Sequence, residues 1–214
     1  MTQTQPEATS HPVPADDADR HRTPPEPADD ADRPRTPPEP TSAMRTGAFA
    51  TRSRTFTWAR PGQGDPRHLA SLDGLGQLTA MVEGEMPPPP IMATLGVTDF
   101  RPEAGRVVVE MPADEFHYNP LGTVHGGVIS MLLDTAAGCA VHSTLTVGES
   151  YTTLDLTVKF LRPVTVGSGV LTCEGTVIQR GRRTALAQAQ LTDEAGRLVA
   201  HATSSCMIFP IPTP

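Results

Sequence analysis

His125-Gly-Gly-Val-Ile-Ser-Met-Leu-Leu-Asp134-Thr-Ala-Ala-Gly-Cys-Ala-Val-His142 is the stretch whose reading decides the fold. After the two glycines it is apolar on nearly every face, which predicts a helix buried in a domain interior. At 1.5 Å rise per residue it spans roughly 25 Å, enough to cross a small domain but short for a lone bilayer span. One carboxylate, Asp134, sits in its middle. A charge in an apolar interior costs several kcal/mol unless it is paired or hydrogen-bonded. Asp134 is therefore either satisfied by a partner, an arginine such as Arg162 being one choice, or it faces a cleft where its reactivity is used. His125 and Asp134 are nine residues apart, so on a straight helix they lie half a turn and about 13 Å from each other. If both serve one site, two chains must build it, and a two-fold dimer makes two such sites at once.

Outward from this helix, the sequence alternates in the manner of strands. Residues 152–161 place Leu154, Leu156, Val158 and Phe160 on one face and Thr153, Asp155, Thr157 and Lys159 on the other. Arg162-Pro163 ends the run. Residues 169–179, 184–192 and 197–209 follow as three more strands, separated by Arg180-Gly-Arg-Arg183 and Asp193-Glu-Ala-Gly196, which suit hairpin turns. Upstream, 91–100 and 106–111 read as strands joined by a turn at Glu103-Ala-Gly105. Residues 68–82 carry leucines at helical spacing, and the proline run 87–90 forces an extended passage after them. The expectation is an α+β domain in which an antiparallel sheet of about six strands, the last four in a meander, wraps around one long buried helix.

The first 42 residues carry ten of the 23 prolines and a tandem 13-residue repeat, Pro-Ala-Asp-Asp-Ala-Asp-Arg-(His/Pro)-Arg-Thr-Pro-Pro-Glu, at 14–26 and 27–39. With little to bury, residues 1–65 are expected to be a disordered tail and linker. The expected organisation continues with an N-terminal helix at 66–86, the sheet-and-helix domain at 87–209 and a short tail at 210–214. The net charge of −7 gives no footprint for nucleic acid. Three cysteines in apolar segments, Cys139, Cys173 and Cys206, read as buried free thiols. No apolar leader and no spanning segment is evident, so a cytoplasmic protein without membrane attachment is expected.

Several residues near the helix start have the chemistry of a site. A helix opening at Gly126-Gly127 leaves backbone N–H groups pointing outward at the positive end of the dipole, suited to a developing oxyanion or to a simple tight turn. Asp134 has the chemistry to attack a carbonyl or activate water. The Asn119 amide can orient a carbonyl, although Asn-Pro is also ordinary turn chemistry. His117, His125 and His142 have no metal-ligand spacing, and His125 is expected to hold the turn through a hydrogen bond.

Taken together, Asn119-Pro-Leu-Gly-Thr-Val-His125-Gly126-Gly127, Asp134 seven residues later, and Tyr151-Thr-Thr-Leu-Asp-Leu-Thr-Val-Lys-Phe-Leu-Arg-Pro163 resemble the PaaI-type (4HBT) acyl-CoA thioesterases of the hotdog-fold superfamily, over about residues 87–209. The resemblance implies an acyl-CoA thioesterase acting as a homodimer or dimer of dimers, with no cofactor beyond the coenzyme A of its substrate. In it, Asp134 activates water or attacks the thioester, and Gly126 supplies the oxyanion N–H. Asn119 and His125 bind and polarise the carbonyl, Thr153 (or Thr152 beside it) positions water, and Gly127 with Arg180, Arg182 and Arg183 contributes to coenzyme A binding. The alternatives are a hotdog dehydratase or hydratase, which needs a histidine paired with an acid, and a non-catalytic acyl-CoA-binding module. The acyl group itself is not legible.

Overall fold

A computed structural model describes residues 49–211. The chain divides into units Met1–Arg52 and Ser53–Pro214. The tandem repeat lies outside the described residues, as do the last three positions of the expected C-terminal tail. Every helix and strand of the described residues belongs to the second unit.

The helix that organises the unit is α4, Gly126–His142, with His125 as its N-cap. One face is sealed. Leu132, Leu133, Ala136, Ala137, Ala140 and Val141 are essentially inaccessible and pack on the sheet. The helix approaches β5 so closely that a Cβ on Gly175 would stand 2.1 Å from the Ala136 carbonyl oxygen. Only glycine is compatible with that distance.

The sheet is antiparallel in the order β1-β2-β5-β6-β7-β3, with β4 also paired to β7. Its strands are β1 Asp99–Glu103, β2 Arg106–Pro112, β3 Glu149–Thr153, β4 Thr157–Phe160, β5 Val170–Arg180, β6 Thr184–Thr192 and β7 Leu198–Pro210. It curls around α4, which meets β1, β2, β3, β5, β6 and β7. This is the expected hotdog arrangement of a long helix held in a curved sheet.

Three local expectations change. Residues 91–100 are not one strand: α3, Pro90–Leu95, precedes β1. Pro90 pre-sets the first helical turn, and Gly96 closes the helix in the left-handed conformation at φ 80°. The 68–82 helix is two: α1 Pro66–Ser71 and α2 Gly74–Val82, interrupted where the Asp73 side chain accepts from the Gly76 N–H and caps α2. Before them, the segment expected as linker contributes Arg54, whose guanidinium donates to the Ala93 and Thr94 carbonyls at the end of α3.

The third change has functional weight. The strands after α4 are not a simple four-strand meander. Residues 161–169 carry the chain across so that β5 pairs with β2, and the run 152–161 forms the far edge beside β7. That edge is broken by a bulge. Thr153 pairs with Cys206 and Thr157 with Thr203, so four steps on the edge face three on β7. One extra residue exchanges the two faces. Tyr151 and Thr153 before the bulge therefore share the helix-facing side with Val158 and Phe160 after it, contrary to uninterrupted alternation.

Candidate active site

The other face of α4 is open. Ser130, Met131 and Asp134 on it, with Thr153 and residues 154–156 of the bulge, line a depression of about 380 Å³. Here the parity switch matters: the Thr153 hydroxyl donates to Asp134 Oδ1 at 3.1 Å. Without the bulge, the strand would present a leucine there. Among the described residues no cation is paired with Asp134. Arg162 instead donates to the Leu198 carbonyl at 2.6 Å.

The Gly126 end is built separately. The Val124 N–H donates to the Val164 carbonyl at 2.8 Å, and the Val166 N–H to the Tyr118 hydroxyl at 2.8 Å, which ties the loop before α4 to the segment after β4. His125 Nδ1 accepts from the Gly127 N–H at 2.8 Å, which places the ring proton of the neutral imidazole on Nε2. The Gly126 N–H has no acceptor among the described residues. A Cβ on Gly126 would touch the Phe160 ring at 3.2 Å. Asn119 is engaged by its own loop: its Oδ1 accepts from the Leu121 N–H at 2.8 Å, and its Nδ2 donates to Thr123 Oγ1 at 3.0 Å. Asn119, Gly126, Phe160 and Arg162 line a second depression of about 340 Å³.

Asp134 and Gly126 of one chain thus lie in different depressions, eight residues and about 12 Å apart along α4. The candidate phosphate-binding arginines are in the β5–β6 turn, which stands beside β7 at the level of Thr152. Arg180 is engaged by the Glu149 carboxylate, while Arg182 and Arg183 are exposed. A backbone N–H from Thr146, and then Arg180, hold Glu149 below its ordinary pKa. The three histidines go to separate partners: His117 to the Leu95 carbonyl, His125 to the Gly127 N–H and His142 to the Gln77 amide. Among the described residues no three potential ligands gather to hold a metal, and no helix is long and apolar enough to cross a membrane.

Sequence reasoning missed Phe160 as a wall of the Gly126 depression and named Arg162 only as a possible partner of Asp134, whereas it lines the Gly126 depression, and it gave Tyr151 no part near Asp134. All three lie in the quoted 151–163 motif, but only the bulge shows which way they turn. Burial pushes the Cys139 thiol, one turn beyond Asp134, up to about 12, with the Asp134 charge adding to the effect.

Residues 121–200 match the 4HBT thioesterase superfamily model. The chain is 31% identical to the proofreading thioesterase EntH of Klebsiella pneumoniae, across 58% of this chain and 85% of that protein. It is 30% identical to acyl-coenzyme A thioesterase 13 of Homo sapiens, across 45% of this chain and 68% of that protein. Among solved structures, a phenylacetic acid degradation-related protein from Ralstonia eutropha superposes with a TM-score of 0.56 at 34% identity, covering 61% of this chain and 98% of its own. With these relatives covered over most of their length, the chain belongs to the 4HBT thioesterase superfamily of hotdog proteins.

Proposed function

We propose that this protein hydrolyses the thioester of an acyl-CoA in a site shared between two copies of the chain. The observation that carries the reading is the environment of Asp134: half-buried, without a cation among the described residues, one oxygen held by Thr153, and in the wall of an open depression. A carboxylate so held is a general base for water. It removes the water proton as the oxygen attacks the thioester carbonyl. The oxyanion that forms accepts from the Gly126 N–H of the second copy, supported by the helix dipole. Collapse breaks the C–S bond, and the proton on Asp134 passes to the departing thiolate, leaving the free acid and coenzyme A. In the alternative the carboxylate attacks directly, and single turnover in ¹⁸O-water, with label sought in Asp134, separates the two routes. Asn119 has one Nδ2 hydrogen left for the substrate carbonyl, Gly127 and His125 shape the turn beneath it, and Arg182 and Arg183 are the cations to test against the coenzyme A phosphates.

Support for the second copy comes from the surface. Leu154 and Phe160 are 57% and 55% exposed on the unpaired edge of the sheet, next to the open stripe of α4. Exposed apolar groups on a free edge suit coverage by another chain. The hydratase reading is disfavoured because the His125 ring is used by Gly127 while Asp134 is held by a hydroxyl.

The test is thiol release from a panel of acyl-CoAs, followed by mixing of two inactive variants, Asp134→Asn and Gly126→Val, after unfolding and refolding together. Half of the random dimers are mixed and each has one intact shared site, so about a quarter of wild-type activity returns. No recovery would mean that each site is built within one chain.

A further inference from the structure

A third cavity, about 480 Å³, plays no part in the hydrolytic mechanism. It lies between α2, the proline run and the second half of α4, with Leu69, Leu78, Met81, Met86, Met92 and Cys139 in its wall. Of its polar side chains, His142 and Gln77 satisfy each other: His142 Nε2 and Gln77 Oε1 are 3.0 Å apart, and burial holds His142 below its ordinary pKa, favouring the neutral ring. Pro87–Pro90 border the cavity with backbone of fixed φ, so the space exists before anything binds. Its size and apolar lining are those of a small-molecule pocket.

Its position relative to Asp134 is the second observation. Cys139 and His142 follow Asp134 by five and eight residues, which puts the cavity about 7.5 to 12 Å farther along the helix. Tyr151 stands between. It is two residues before Thr153 on β3, and its ring meets His142 edge-on at 5.7 Å. Its hydroxyl occupies the space a Cβ on Gly138 would need, 2.8 Å from that position. The charge of Asp134 is felt at both Cys139 and Tyr151, so the acid, the partition and the cavity wall are neighbours.

We propose that this cavity receives the distal end of the substrate's acyl chain, with Tyr151 as the partition it passes, making the preferred substrates straight-chain fatty acyl thioesters. The inference rests on Asp134 as the hydrolytic group. With the carbonyl at Asp134, about six to ten carbons are needed to cover the distance to the cavity. Acetyl and arylacetyl groups end before it, and chains from about octanoyl to hexadecanoyl enter it.

Purified full chain is assayed for thiol release from butanoyl-, octanoyl-, dodecanoyl-, hexadecanoyl- and phenylacetyl-CoA. The expected kcat/KM for dodecanoyl-CoA exceeds that for butanoyl-CoA at least tenfold. Leu69→Trp and Met92→Trp, which fill the cavity from two half-buried wall positions, each lower that ratio at least fivefold. A flat chain-length profile, or variants that slow both substrates equally, overturns the inference while leaving the hydrolytic reading standing. Absence of thiol release from every substrate defeats the hydrolytic reading instead. Calorimetry with dodecanoyl- and butanoyl-CoA on the Asp134→Asn protein then decides the cavity. Chain-length-dependent affinity that Leu69→Trp removes supports it, and equal affinities refute it.

Discussion

The two faces of α4 differ more than its sequence suggests. Toward the sheet, Leu132, Leu133, Ala136 and Ala137 are sealed, and small residues bring the helix within touching distance of β5 at Gly175. On the other side Ser130, Met131 and Asp134 are half-open and border depressions. The sealed face accounts for the packing on the sheet, and the open face carries Asp134. A helix that reads as apolar all round is therefore closed on one side by its own sheet, and under the proposed mechanism the remaining side belongs to a second copy and to substrate.

Substitutions on the two faces should have separable consequences. The largest effect is expected from Asp134→Asn on the open face: thiol release falls by about 10³-fold, while thermal unfolding barely moves. Unchanged turnover would remove Asp134 from the mechanism. Leu133→Ala on the sealed face should do the opposite, costing about 3 kcal/mol in urea unfolding because the packed site cannot collapse around the missing atoms, with kcat per folded molecule retained. If that variant loses activity at full stability, the division of labour between the faces is wrong. Thr153→Val keeps shape and removes the hydroxyl on Asp134; a loss of one ordinary hydrogen bond, about 1 kcal/mol, corresponds to a roughly fivefold fall in kcat. Thr152→Val, on the opposite side of the strand, should leave kcat within twofold.

The mildest test concerns pH. Burial is the main cause that lowers the pKa values of His117 and His142 in the folded chain. Unfolded histidine titrates near 6.5. A lowered folded value means that the unfolded chain takes up protons first, so the stability these rings contribute is fully present above about 6.5. It is lost as pH falls from there through the folded values. The melting temperature should drop as pH falls below about 6.5, and His117→Gln should flatten part of that slope. A pH-independent melting curve across this window would show that neither ring is held neutral by the fold.

Much of this was legible beforehand for a physical reason. A nearly unbroken apolar run over seventeen positions and alternation over nine or more are strong local signals, so α4, β5, β6 and β7 are where the sequence puts them. The short pieces were not legible. Residues 90–95 contain Ile, Met, Ala, Thr and Leu, which suit strand or helix alike, and Pro90 and Gly96 at the two ends decide. The regular alternation of 152–161 concealed a bulge, because the pattern of side-chain types runs unbroken through the place where the backbone gains one residue against β7.

The sequence alone determined that a long apolar helix would be wrapped by antiparallel strands, that Asp134 would stand exposed to a choice between pairing and reactivity, and that Asp134 and the glycine pair could not meet in one chain. These follow from helical geometry and side-chain type, which are local. The tertiary structure decided that Thr153 turns toward Asp134, that Arg162 does not, that Arg180 is engaged by Glu149, and that an apolar cavity opens beside Cys139 and His142. Each of those depends on segments far apart in the chain arriving at one place, and no window of sequence contains both.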